Sequence, residues 1–149
     1  MMYAPWATRV LGYLIDSFLV GAFIFILYLL LGGMLAGVAN IGSGSAGGGV
    51  CCLWIALALP AMLLVGLFNR VYLVSSRGSS IGQGIVKVKV VDGAGNLLTM
   101  GTAFIRLLAQ IGLSLLPFGG LIDLLWPLWD ERRQTLHDKA VGCYVINNG

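Results

Sequence analysis

Six side chains hold the chemistry open to this sequence: Arg9, Asp16, Asp123 and Asp138, with Arg106 and His137 in support. Arg9 and Asp16 stand seven residues apart at the head of a long apolar run. On a helix they share one face about 10 Å apart, too far for a direct salt bridge. Arg9 can snorkel to lipid headgroups. Asp16 lies inside the run, where an ionised acid costs several kcal/mol unless paired or hydrated, so it demands a partner or a proton. One reading makes it an ion or proton site. The other makes it an interhelical hydrogen bond or ion pair, with Arg106, or Arg9 of a neighbouring copy, as partner. Asp123 follows Gly119-Gly120, where small residues permit close backbone approach and water entry. Near a helix start an anion is favoured by the dipole, so capping is weighed against transport. Two intramembrane acids also suggest an aspartyl protease, but nothing flanking Asp16 or Asp123 supports that chemistry.

The stretch 130–139 gathers half of the six acids beside three bases and the sole histidine. That density reads as a solvated ionic network at a membrane boundary. A metal site from His137 with Asp138 or Glu131 is the lesser reading, because no ligand spacing is recognisable. Cys51, Cys52 and Cys143 match no zinc or haem spacing. Gly82-Gln83-Gly84 precedes a strand and lacks the Lys-Ser or Lys-Thr of a phosphate loop. We therefore expect no enzyme, no cofactor and no metal.

The elements that position these residues follow from composition. With 149 residues the chain has room for one domain. Hydrophobic residues make up 58% and charged residues 10%, against about 25% charge in soluble domains. Such a chain cannot cover itself for water, which excludes a disordered tail, a nucleic-acid module and a coiled coil. The bilayer is its first partner. Two spans are expected, at about 9–39 and 50–74, joined by the Gly- and Ser-rich 40–49, with Pro60 as a kink. A cleaved signal peptide competes for the first, but that run is too long and contains an acid. Residues 75–102 form a cytoplasmic loop with a β-hairpin, strand 85–91 turning at 92–96 into 97–99. The segment 103–129 is broken at Pro117 to Gly120. Its arms are too short for full crossings, so a re-entrant hairpin is expected. The C-terminal segment 130–149 carries β-prone 141–146, which would add a third strand. Trp6, Trp54, Trp126 and Trp129 read as interfacial anchors. The placement of Arg and Lys puts both termini and the 75–101 loop in the cytoplasm, with Cys51 and Cys52 near the outer face.

Arg9 with Asp16, the Gly78-Ser79-Ser80-Ile81-Gly82-Gln83 turn leading into Val88-Lys89-Val90-Val91-Asp92, Arg106, and Arg133-Gln134-Thr135-Leu136-His137-Asp138 before Ala140-Val141-Gly142 together resemble the RDD family of small bacterial and archaeal membrane proteins. The likeness covers nearly the whole chain as a single domain, 1–149. The family is named for an arginine and an aspartate of the first helix and a further aspartate. Arg9 and Asp16 match the first two, and Asp123 or, preferably, Asp138 the third. Gln83 departs from a position where a basic residue is common, and Cys143 from one where threonine is. The resemblance implies an integral membrane protein, in keeping with the fold class expected from the residues: an all-α membrane protein, two transmembrane helices plus a short broken or re-entrant hairpin, with a small cytoplasmic β-sheet. It also implies a transport role for unidentified ligands, a cation or proton being the candidate; the location expected is the cell membrane, the inner one. The function expected is a small transporter or cation/proton exchanger subunit of unidentified substrate, working as a homo-oligomer. The alternative is a non-transporting accessory subunit of a larger membrane complex.

Overall fold

Charge divides this chain. The computed structural model describes residues 2–41 and 46–148, and of those the side chains outside 33–54. Two compact units result: Met1–Asp16 with Leu67–Gly149, and Ser17–Gly66. All nine basic and all six acidic residues belong to the first.

The apolar unit comprises two helical arms. Helix α1 runs Trp6–Ile41 and α2 runs Ala46–Leu67, with Pro60 inside it. The arms within the unit, 17–41 and 46–66, are each about 30 Å long or more at helical rise, enough to cross a bilayer. Mean hydropathy reaches 2.5 over Trp6–Gly32 and 1.8 over Ile55–Arg77. Large apolar side chains stand exposed along both arms, Phe18 at 74% and Leu64 at 68% among them. The helices reach further into the Gly- and Ser-rich connector than its composition suggests. The expected positions of Cys51 and Cys52 lie outside the described side chains.

The charged unit is built from short, capped elements. A π-helical turn at Phe68–Tyr72 continues α2 into α3, Leu73–Arg77. That turn carries Asn69 and Arg70. Gly78 closes α3 at φ +78, a left-handed position that glycine adopts without strain. Ser80 then opens α4, Ile81–Ile85, by a reciprocal capping box with Gln83. Strand β1 is Val88–Val91 and pairs antiparallel with β2, Tyr144–Asn147, with Val90 opposite Val145. Met100–Leu115 form α5, capped by Thr99. A break follows at 116–118. Then come α6, Gly119–Leu125, a 3-10 turn at Trp126–Leu128, and α7, Leu136–Val141.

The chain is thus mostly helical, with two candidate spans and a two-stranded sheet. The expected pairing of the C-terminal segment with the 85–91 region holds, in a shorter register. The three-stranded sheet and the 85–99 hairpin do not. The capping box makes 81–85 helical, and Lys87 turns the chain at φ 55 before β1 can start. On the far side Val91 meets Leu97 in a single bridge, after which Thr99 diverts the backbone into α5. The turn itself is held by Asp92, whose carboxylate accepts from the amides of Ala94 and Asn96 at 2.9 and 2.8 Å. Val88, Val90 and Val145 bury their side chains with Ala4, Val74, Leu98, Ala103 and Cys143, and this apolar core supports the charged cluster.

Candidate functional site

Asp138 occupies the third helical position of α7. Thr135 accepts from its amide at 3.2 Å, and its own carboxylate accepts from the Thr135 amide at 3.4 Å. This second capping box fixes the side chain, which is fully buried. Arg106 of α5 brings Nε and Nη2 each to 2.8 Å from Oδ1. Arg9 of α1 brings Nη1 to 3.3 Å from Oδ2. Arg9 also donates to the carbonyls of Ala4 at 3.3 Å and Val145 at 3.0 Å, tying the N-terminus and β2 into the cluster. The Cys143 thiol donates to Oδ1 at 3.4 Å. Burial alone would raise the Asp138 carboxyl. Arg106, with His137 and Arg9 behind it, outweighs burial and holds it well below the usual carboxylate range. Burial, reinforced by the Asp138 charge, pushes the Cys143 thiol up to about 12.

Asp123 does not cap its helix. Phe118, at φ 61, is the N-cap of α6 and makes no side-chain bond, and Asp123 sits one turn further in. Its carboxylate instead accepts from the His137 amide at 3.0 Å and lies 2.6 Å from His137 Nδ1. The other imidazole nitrogen is 3.2 Å from the Thr135 hydroxyl and 3.5 Å from Asp138 Oδ1. The solvated network expected over 130–139 is therefore divided. Lys139 pairs with Asp130 in a partly exposed bridge, while His137 and Asp138 are buried. Among the described residues no group of three His, Cys, Asp or Glu side chains could hold a metal ion.

Asp16 stands apart from this cluster. Its carboxylate accepts from Asn69 Nδ2 at 2.9 Å and the Gly82 amide at 2.8 Å on one oxygen, and from the Ser80 hydroxyl at 2.5 Å on the other. Asn69 in turn accepts from the Ile81 amide at 2.9 Å. Three neutral donors satisfy the buried acid, so of the structural alternatives the interhelical hydrogen bond is the one seen, with Asn69 as its partner, while Arg106 serves Asp138. The approach of α4 to α1 depends on glycine. A Cβ on Gly82 would lie 2.2 Å from the Gly12 carbonyl oxygen.

A cavity of about 180 Å³ joins these groups, bordered by Arg9, Gln83, Arg106, Gln110, Asp123 and Asp138 among others. A smaller one of about 40 Å³ lies beside Asp16 and Ser80 and shares Tyr13, Gln83, Arg106 and Gln110 with it. The larger has room for several waters or one small polar solute. Trp6 donates to the Leu124 carbonyl at 2.8 Å and so fastens α1 to α6. Arg70 donates to Gln110 at 2.7 Å and fastens the π turn to α5.

A model of the RDD family matches residues 3–142. The chain belongs to the RDD family. Over 93% of its length it is 33% identical to the proline-rich antigen of Mycobacterium leprae (strain TN) and 32% identical to the proline-rich antigen homolog of Mycobacterium tuberculosis (strain ATCC 25618 / H37Rv). This RDD chain spans 59% and 61% of those relatives' lengths. No solved structure matches it.

Within this RDD chain, five of the six residues singled out from sequence converge: Arg9, Arg106, Asp123, His137 and Asp138. Asp16 borders the neighbouring cavity. Sequence reasoning missed Asn69, Ser80, Gln110 and Thr135. For two of these a signal was present: Ser80-x-x-Gln83 and Thr135-x-x-Asp138 both have capping-box spacing. Asn69 and Gln110 carried none, being single amides in apolar stretches. Gln83, where the resemblance leads one to expect a basic residue, uses its side-chain oxygen to accept from the Ser80 amide at 3.2 Å.

Proposed function

We propose that this RDD-family chain is a multi-pass protein of the cell membrane, its N-terminus and charged unit cytoplasmic, and that it serves as a small transporter or cation/proton exchanger subunit. The observation that carries this reading is the cavity of about 180 Å³ bordered by two arginines, two aspartates and uncharged amides, in a chain that also has two long apolar helices. The charged and amide groups on its wall are satisfied best when water or a polar solute stands beside them. The concentration of every Arg and Lys in one unit supports a cytoplasmic place for that unit. On this reading 103–129 is a re-entrant hairpin whose arms end short of the far face, and two apolar arms enclose too little volume for a private pathway, so the working form is a homo-oligomer. The name proline-rich antigen specifies no substrate for the relatives.

A second reading rests on a separate observation. Asp16 and Asp138 are fully engaged by partners that hold elements together, as an accessory subunit of a larger complex would need. Flux in proteoliposomes separates the two. We expect purified protein to respond to an imposed sodium, potassium or proton gradient, and Ser114→Leu, which puts a bulky side chain on the cavity wall, to abolish the response in folded protein. Wild-type protein inert to all three gradients decides for the accessory role.

A further inference from the structure

If the charged unit moves a proton, one group must change protonation without dismantling the fold. Asp16 is poorly placed for this. Two of its three donors, the Asn69 amide and the Gly82 N–H, converge on one oxygen, so a proton can be held only on the other, against the Ser80 hydroxyl, and neither site borders the large cavity. Asp138 is held between Arg106 and Arg9, and a proton there strands two buried guanidinium groups. His137 differs from both. Its ring is more than nine-tenths buried, yet each nitrogen has a partner that serves either protonation state.

The hydrogen-bond set assigns the neutral ring its proton on Nδ1, donated to Asp123, with Nε2 accepting from the Thr135 hydroxyl. When Nε2 gains a proton the hydroxyl rotates and accepts it, or Asp138 Oδ1 does at 3.5 Å. Thr135 keeps a lone pair for the Asp138 amide in both states. His137 does not itself border the large cavity, but its two partners Asp123 and Thr135 do. A proton from cavity water can therefore reach Nε2 through the Thr135 hydroxyl, which gives its hydrogen to the ring and takes one from water. No heavy-atom bond changes, and one proton is taken up.

We propose that His137 with Asp123 is a proton-binding site opening on the cavity, and that a proton on His137 and a cation in the cavity exclude one another. The charged groups around the ring are Asp123 from α6 and Asp138 from its own helix, with Arg106 of α5, Arg9 of α1 and the Cys143 thiol reached through Asp138. With the ring neutral, the two arginines balance the two aspartates. A proton adds one positive charge beside the cavity and disfavours a cation there. The exclusion rests on the transport reading; the proton site does not.

His137 is the one histidine of the chain, so nitrogen spectra of histidine-labelled protein in lipid nanodiscs report a single ring. We expect an Nδ1–H tautomer at alkaline pH and a doubly protonated ring at acid pH, with the remaining spectrum still that of folded protein. Asp123→Asn, which removes the carboxylate 2.6 Å from Nδ1, is expected to move the Nδ1–H resonance and to change how the ring spectrum responds to pH. Asp16→Asn is expected to leave both unchanged. His137→Asn, which can still donate to Asp123, checks that the fold survives loss of the ring. A ring that stays singly protonated until the protein unfolds, or that ignores Asp123→Asn, overturns the site. Titration as expected in a protein that moves no ion leaves the site standing and removes the transport reading.

Discussion

Replacing Asp138 by asparagine preserves the size of the side chain and removes the carboxylate that Arg9 and Arg106 share. Both arginines keep about nine-tenths of their side-chain surface buried, so neither charge can turn to water without opening the unit. Removing one partner of a buried ion pair costs about 3–5 kcal/mol, chiefly from the charge left behind. The capping box adds little, because asparagine also accepts from the Thr135 amide. Against a total stability of about 5–15 kcal/mol, the variant loses at least about a fifth of its margin. The assay is chemical unfolding in detergent micelles followed by tryptophan fluorescence. A second substitution, Arg106→Gln, removes one stranded charge and should restore about 1–3 kcal/mol to Asp138→Asn. A single-variant loss below about 1 kcal/mol, or a double variant as unstable as the sum of the two single variants, would refute the claim that this pair sustains the unit.

Because the folded Asp138 carboxyl lies below its unfolded value of about 3.9, its contribution is complete above roughly pH 5 and is lost as pH falls further, the unfolded chain binding the proton first; unfolding at stepped pH should show wild-type stability falling there and Asp138→Asn nearly flat. Gly82→Ala, which sets a Cβ 2.2 Å from a backbone oxygen, should cost about 1–3 kcal/mol, whereas Gly84→Ala, whose nearest neighbour is the Ser79 hydroxyl at 3.4 Å, should be tolerated. Asp16→Asn should cost less than about 1.5 kcal/mol by the same assay, since an amide nitrogen in place of the second oxygen can donate to Ser80. Cys143, buried and with its thiol raised to about 12, should resist maleimide at pH 8 until the protein unfolds, so its silence cannot report sidedness. The exposed loop residue Ala94 can: Ala94→Cys should label from the cytoplasmic side of vesicles and not from the other.

Much of the site was legible because burying charge in an apolar chain has few solutions. Arg9, Asp16, Arg106 and Asp123 stand out as charges in apolar sequence, and each is buried or nearly so and partnered in the structure. What could not be read was which charge meets which. Arg9 lies 129 residues from Asp138 and Asp16 lies 53 from Asn69, separations over which sequence spacing gives no geometry. Asp123 showed the difficulty most directly: its distance from a glycine break suggested a cap, while the partner that matters, His137, arrives from another helix.

The same division holds for the fold. Composition alone fixed the apolar character of the chain, because 10% charge cannot cover a surface of this size, and hydropathy placed the two long helices. Local spacing also set the caps at Ser80 and Thr135, which act within one turn. The strand expected over 85–91 is cut to Val88–Val91 because alternation of Val and Lys satisfies a strand pattern wherever it occurs, whereas the capping box upstream and the pairing available downstream decide how much of it becomes strand. Only the tertiary structure decided that α7, α1 and α5 meet at one carboxylate, with β2 tied in through Arg9. The reason is physical: helix and strand signals are carried by neighbours a few residues apart, but the desolvation of Asp138 is balanced only when two guanidinium groups from distant segments arrive together.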